Sequence, residues 1–419
     1  MCINIQLYLL MKKLFTIILF FFIGLGWLSA QTGFTLRGES KKVRIPFRIH
    51  SNLIVIPLIL NNRIPLKFIV DTGVRNAILT EKIYTDMLNV GYSRKYTIRG
   101  AGGAFLIDAY LSKGVTLTLP GLEGSGNILF VLENDYIELR NFLGTEVHGM
   151  IGYELFSRFI VEINYAKKII TLHDPASFKP KRLYREMPMA VEDTKPFIYT
   201  KVTMDNGSTI NARMLVDTGA SHGIMLEPQS GDSIIISEKT IDAIIGRGLG
   251  GAIEGQIGRL ESISIGDYEI NSPIVTFPYP NSYMDSLFVN ATFRNGSLGG
   301  ELLSRFNIVF DYGNEKMYFK KNSKFKRQFY YNLSGITIKA VGANLEDFEI
   351  DEVREHSNAY QVGLRKGDRI NAINGLSTEN LDLGIVNSIL NSKPNKKIRI
   401  AILRNGEVQK FSFRLQSPI

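Results

Sequence analysis

Two stretches decide the fold: Phe68-Ile69-Val70-Asp71-Thr72-Gly73 and Met214-Leu215-Val216-Asp217-Thr218-Gly219. Each is an apolar run closed by the same tripeptide. At average residue usage a given tripeptide is expected roughly 0.1 times in a chain of this size, so two copies in matching contexts call for a cause. The neighbourhoods repeat as well. Ile151-Gly152-Tyr153-Glu154-Leu155-Phe156-Ser157-Arg158-Phe159 follows the first copy, and Leu298-Gly299-Gly300-Glu301-Leu302-Leu303-Ser304-Arg305-Phe306 follows the second. Between them lie Arg99-Gly100-Ala101-Gly102-Gly103-Ala104 and Arg247-Gly248-Leu249-Gly250-Gly251-Ala252. The three offsets are 146, 147 and 148 residues. Such a duplication is too long for a solenoid repeat and right for two whole lobes.

Lobes related by a pseudo-two-fold axis bring equivalent loops together at that axis, so Asp71 and Asp217 are expected to face one another. Two carboxyls a few Å apart cannot both ionise cheaply, and one proton is shared between them. Hydrolysis of an amide by water needs that asymmetry. One carboxylate takes a proton from the water while the other protonates the carbonyl oxygen. Gly73 and Gly219 let each loop turn where a Cβ would clash. The hydroxyls of Thr72 and Thr218 can hydrogen-bond across to the partner loop and hold the pair rigid. A plain strand-to-turn signal is the competing use of Asp and Gly, but it leaves the shared downstream segments unexplained.

This constellation resembles the aspartic proteases of the pepsin and retroviral type, in their single-chain, two-lobed form, over residues 40–325. The resemblance implies a dyad of Asp71 and Asp217, with Thr72, Gly73, Thr218 and Gly219 supporting it. It also implies flap tips at Gly100, Gly102 and Gly103 or at Gly248, Gly250 and Gly251. The sequence departs from the family after the first glycine. Where Ala, Ser or Thr and then Ser, Thr or Asp are usual, the second copy complies with Ala220-Ser221, but the first reads Val74-Arg75-Asn76. Arg75 would depress the pKa of the dyad if it reached it, and is expected instead to point to solvent.

Other chemistries find little support. Gly246-Arg247-Gly248-Leu249-Gly250-Gly251 matches the dinucleotide pattern G-x-G-x-x-G, but no strand-helix-strand unit surrounds it, and a glycine hairpin is expected there. The five histidines, His50, His148, His173, His222 and His356, have no metal-ligand spacing, and neither metal nor cofactor is expected. His222 is read as a surface or core residue rather than a border of the cleft. No G-x-S-x-G elbow occurs.

The start of the chain bears on compartment. Met11-Lys12-Lys13, an apolar stretch from Leu14 to Leu28, and Ser29-Ala30 form a secretory signal, so residues 1–30 are read as a signal peptide, with Met11 as an alternative start. The apolar stretch is shorter than the roughly 20 residues a spanning helix needs, so cleavage is favoured over retention as an anchor. The only cysteine, Cys2, lies upstream of that signal, which leaves an exported chain without disulfides. The net charge of +9 is spread over 419 residues and matches no nucleic-acid motif. Its densest run, Lys316, Lys320, Lys321, Lys324, Lys326 and Arg327, reads as a solvated linker, with weak attraction to an anionic envelope surface as the sharper alternative.

Short β-branched and aromatic runs with alternation fill both repeats, so the expected fold is mostly β: two pseudo-two-fold-related lobes of the acid-protease type plus a small α/β domain. The lobes are placed at 31–186 and 187–328, with a linker around Lys179-Pro180-Lys181-Arg182 and Met187-Pro188. Residues 329–419 match neither repeat. There Ser357 to Ile370, the Asn374-Gly375 turn, a helix from Asn380 to Leu390 and Arg404-Asn405-Gly406 resemble, in order, a bacterial-type PDZ domain. Such a domain adds a peptide strand to its sheet edge and captures a terminal carboxylate, which the resemblance assigns to Leu333, Ser334, Gly335 and Ile336.

The resemblance implies an aspartic endopeptidase, and the signal at residues 11–30 implies its export, to the periplasm, cell envelope or medium. Its partners would be a peptide or protein substrate in the interlobe cleft and a peptide or protein C-terminus at the PDZ domain, with no nucleic acid. The rival is a non-catalytic peptide-binding scaffold, disfavoured because a scaffold has no use for two costly like charges at an interface. Since both aspartates precede residue 324, a chain ending near Lys324 is expected to keep its activity on short peptides.

Overall fold

The computed structural model describes residues 32–419 apart from 100–101, 103–105, 232 and 281–291. The signal reading of residues 1–30 and the flap positions Gly100 and Gly103 lie outside the described residues. The chain is mostly β, with several sheets and a few short helices. Among the described residues no helix is long and apolar enough to cross a membrane.

The first repeat builds a nine-stranded sheet and the second a ten-stranded one. In the first, Leu53–Leu60 and Ile64–Val70 form an antiparallel hairpin. Its turn carries Asn61 and Asn62 at φ of 47° and 56°, a left-handed conformation that asparagine tolerates. The strand Ile64–Val70 then pairs in parallel with Gly149–Ile151, which brings the downstream repeat segment beside Asp71. The second repeat does the same with Thr209–Val216 and Gly296–Leu298. In each lobe a three-residue strand, Ala77–Leu79 or Ile224–Leu226, pairs antiparallel with that inserted segment. The matched segments therefore occupy equivalent places in two equivalent sheets.

A six-stranded sheet joins the lobes. Its middle is the antiparallel pair Ile160–Asn164 and Phe306–Asp311, in which Val161 faces Phe310 and Ile163 faces Ile308. Ile163, Ile308 and Phe310 are fully buried, and each contributes roughly 1.5–3 kcal/mol by leaving water. One apolar core runs through both lobes, so the interface between them is built like an interior.

The C-terminal region has its own core and a six-stranded sheet including Ile336–Val341, Asp347–Val353, Lys397–Arg404 and Glu407–Arg414, with the helix Leu383–Leu390. Asp382 caps that helix, its carboxylate accepting from the Ile385 amide. This unit lies against the first lobe. The side chain of Asn141, in the short helix Leu139–Leu143, donates to the Ala340 carbonyl at 2.8 Å, and Arg140 donates to that of Ala343 at 2.9 Å.

Candidate active site

Asp71 and Asp217 each follow the last residue of a central strand, and each main-chain N–H donates to the inserted segment of its own lobe, to Ile151 and Leu298, both at 2.9 Å. The threonines then lock one loop to the other. Thr72 N–H donates to Thr218 Oγ1 at 3.1 Å, and Thr218 N–H donates to Thr72 Oγ1 at 3.0 Å. The two hydroxyls donate in turn to the partner strands, Thr72 to the Val216 carbonyl at 2.6 Å and Thr218 to that of Val70 at 2.8 Å. Both threonines are buried, so all four bonds form away from competing water.

This grip fixes the carboxyls. Asp71 Oδ1 accepts from the Gly73 amide at 2.7 Å and Asp217 Oδ1 from the Gly219 amide at 2.9 Å. A Cβ at Gly219 would sit 2.1 Å from the Asp71 carboxyl carbon, which is why no larger residue can stand there. Burial, then the charge of Asp217, pushes the Asp71 carboxyl up to about 8. Burial also raises Asp217, against the Gly219 amide and the cation of Arg294. The hydrogen bond between the two carboxyls favours the proton on Asp71 and the charge on Asp217. The two carboxyls titrate as a coupled pair, and the bond between them favours Asp71 as the holder of the shared proton.

The surroundings are unequal. On the second-lobe side, Arg294 pairs with the fully buried Glu227 at 2.8 Å, and His222 bonds Ser297 Oγ at 2.9 Å. Burial, then the Arg294 charge, pushes His222 down to about 4. Neutral at pH 7, it lines the cleft, contrary to the expectation of a surface or core histidine with no view of it. Lys195 also lines the cleft and favours ionisation of both aspartates. The Tyr312 hydroxyl is buried with no partner, and the carboxylate charges add to the burial that raises it. Arg75 takes no part. It is exposed and paired with Asp193 at 3.6 Å, as expected of a residue pointing to solvent.

An aspartyl protease model matches residues 200–302, and a PDZ domain model matches residues 349–404. The chain carries an aspartyl protease domain followed by a PDZ domain. Among solved structures, basic 7S globulin from soybean is similar, with 10% identity, a TM-score of 0.40, and coverage of 69% of this chain and 97% of that one. No curated protein matches.

The protease cleft is a cavity of about 870 Å³ with both aspartates in its lining. The hairpin Ile241–Gly248 and Gly251–Arg259 lines it too, which makes the G-x-G-x-x-G segment a β-hairpin and not a nucleotide loop. Its counterpart, Arg94–Arg99 with Leu106–Leu119, approaches through Gly102. A Cβ on Gly102 would lie 2.5 Å from the Gly251 carbonyl oxygen, so the described tip residues of the two hairpins touch. Gly248 and Gly250 belong to the same tip as Gly251.

In the PDZ domain, the segment assigned to carboxylate capture is largely occupied by the protein itself. The amides of Leu333 and Gly335 donate to Asn391 Oδ1 and Asn332 Oδ1, both at 2.9 Å, and that of Ile336 donates to Ser334 Oγ at 3.3 Å. Leu333, Ser334 and Ile336 are buried. Capture of a C-terminus there lacks free donors at three of four positions, because local turn bonding has taken them. The domain also stands on the cleft: Ile336, Thr337, Ile338 and Glu352 line the same cavity as the dyad.

Lys195, Arg294, Glu227 and the PDZ wall had no signal in the sequence. At the repeat positions of Arg294 and Glu227 the first lobe has Val147 and Thr80, so comparing the halves does not single them out.

Proposed function

We propose that this chain is an exported aspartic endopeptidase that hydrolyses peptide bonds in extended polypeptide segments bound between the lobes. The observation that carries the reading is the pair of buried Asp71 and partly buried Asp217, held by reciprocal threonine bonds and opening onto a peptide-sized cavity. In the proposed reaction, ionised Asp217 takes a proton from a water as its oxygen attacks the carbonyl carbon, and Asp71 gives its proton to the carbonyl oxygen. Collapse of the tetrahedral species returns a proton to the leaving nitrogen. Two groups whose environments separate their proton affinities are what this division of labour requires. Export, to the periplasm, the envelope or the medium, is supported by the basic start, apolar stretch and small-residue end of residues 11–30.

The test is hydrolysis of a mixed peptide library by wild type, Asp71→Asn and Asp217→Asn. Each substitution should lower turnover at least about a thousandfold, since it removes the acid or the base of a coupled pair. Full activity in Asp217→Asn would reject the mechanism, and a wild type that binds peptides without cutting them would make the chain a scaffold.

A further inference from the structure

Contacts at three places, among others, fix the PDZ domain to the protease. Arg247, in the second-lobe hairpin, donates to Asp351 Oδ2 at 2.6 Å and lies over the Phe142 ring at 4.1 Å. The Tyr331 hydroxyl donates to the Ile244 carbonyl of the same hairpin at 3.3 Å. The first-lobe helix Leu139–Leu143 bonds the carbonyls of Ala340 and Ala343 through Asn141 and Arg140. Hairpin, first-lobe helix and PDZ strand therefore meet in one packed junction rather than across a free linker.

That junction divides the groove between the strand Ile336–Val341 and the helix Leu383–Leu390. At the far end the first lobe fills it: a Cβ on Gly144 would come within 2.5 Å of Leu383 Cβ, and Asn141 already uses the Ala340 carbonyl. The near end, formed by Ile336, Thr337, Ile338, Asn387 and Asn391, opens into the cavity that contains Asp71 and Asp217. A peptide strand entering the groove from outside would meet the helix Leu139–Leu143, whereas one lying in the protease cleft reaches the near end directly.

We infer that the PDZ domain forms a wall of the catalytic cleft and reads side chains of the segment being cut, rather than recruiting a separate chain terminus. This rests on the peptidase reading for the cutting, but not for the binding. Three of the four amides that would hold a terminal carboxylate have acceptors within the domain, so the occupant is an internal stretch of polypeptide. The five near-end residues are uncharged and Glu352, in the same cavity wall, is a carboxylate, which suits an apolar, uncharged polar or basic side chain. Lys195 and Arg294 of the second lobe line the same cleft, as does Arg247 at the junction with the PDZ domain.

The experiment compares full-length wild type with Asn387→Leu and Thr337→Val on a peptide library randomised on both sides of the scissile bond. Each peptide is present with a free and an amidated C-terminus. Cleavage is read in active protein and binding in the corresponding Asp71→Asn background. Val408→Ala, on the exposed outer strand Glu407–Arg414, is the folding and handling control. The inference expects both cleft variants to shift preference at one outer position by about tenfold, the range that changes in pocket contacts produce. Val408→Ala should keep the wild-type profile, and amidation should change nothing. Cleavage with an identical profile in every variant overturns the wall, and so does strict dependence on a free carboxylate. Shifted binding preferences without any cleavage would keep the wall and reject the peptidase.

Discussion

Replacing Asp71 by Asn should abolish turnover and, above acidic pH, make the protein more stable. The folded protein holds the Asp71 proton up to about pH 8, against an ordinary value of 3.8, because the site is buried and faces Asp217. Its folded form thus binds the proton more tightly than the unfolded chain does. The stabilising contribution of this group is full below the unfolded value and is lost as pH rises toward 8. Asn carries no such linkage. Its Nδ2 can donate toward Asp217 as the protonated carboxyl does, while Oδ1 still accepts from Gly73, so Asp217 keeps a neutral donor beside it. Variant and wild type should be nearly equal in stability around pH 4 and diverge by about 1.4 kcal/mol for each pH unit above it. The gap should approach the order of 5 kcal/mol near pH 8 and then level off. At about 2–4 °C per kcal/mol for lobes of this size, that is a Tm difference of roughly 10 °C or more. Differential scanning calorimetry of both proteins at pH 5, 7 and 9 reads it directly. A gap that stays flat or narrows with rising pH would refute the claim that a buried, proton-holding pair sits at the lobe interface.

Two further expectations follow from the same geometry. The profile of kcat/KM on one peptide should be bell-shaped with its optimum near neutrality, because burial raises both aspartates and no side-chain hydroxyl is seen donating to either carboxylate among the described residues. An optimum below about pH 3.5 would contradict it. Thr72→Val should strand the Thr218 amide and the Val216 carbonyl in a buried place, at a cost of about 2–4 kcal/mol. Denaturant unfolding should show that loss along with reduced turnover, and Thr218→Val should match it by symmetry; a loss below about 0.5 kcal/mol in either variant would mean that the grip holds nothing.

The parts of this architecture that were legible in sequence are those the two halves share. Asp71 with Asp217, Thr72 with Thr218, and the segments around Gly152 and Gly299 recur at one offset, and a pseudo-two-fold axis must bring recurring residues together. The threonine grip followed from that symmetry and from the reach of a hydroxyl. What breaks the symmetry left no trace. Arg294 and Glu227 answer to Val147 and Thr80 in the first repeat, and only the folded second lobe sets a guanidinium against a buried carboxylate beside Asp217. His222, read as a surface or core residue rather than a border of the cleft, is partly buried in its wall.

The PDZ domain shows a second limit. Its own pattern was readable, but not its position, since the bonds that set it join residues 104 and 199 apart, Arg247 to Asp351 and Asn141 to Ala340. Reasoning from linear order gave a detachable module and an intact peptidase ending near Lys324. The bonds of the dyad fit that expectation, while the cavity wall ties the module to the cleft. Removing residues after Lys324 would strip one wall from the cavity, leave Arg247 without its carboxylate partner, and open the side chains of Asn141 and Arg140 to water. The dyad would remain assembled, because every bond of the threonine grip lies upstream of residue 219. The shortened chain should therefore retain the chemistry and lose the definition of the outer cleft, so that catalysis and selectivity, though housed in one cavity, depend on different domains.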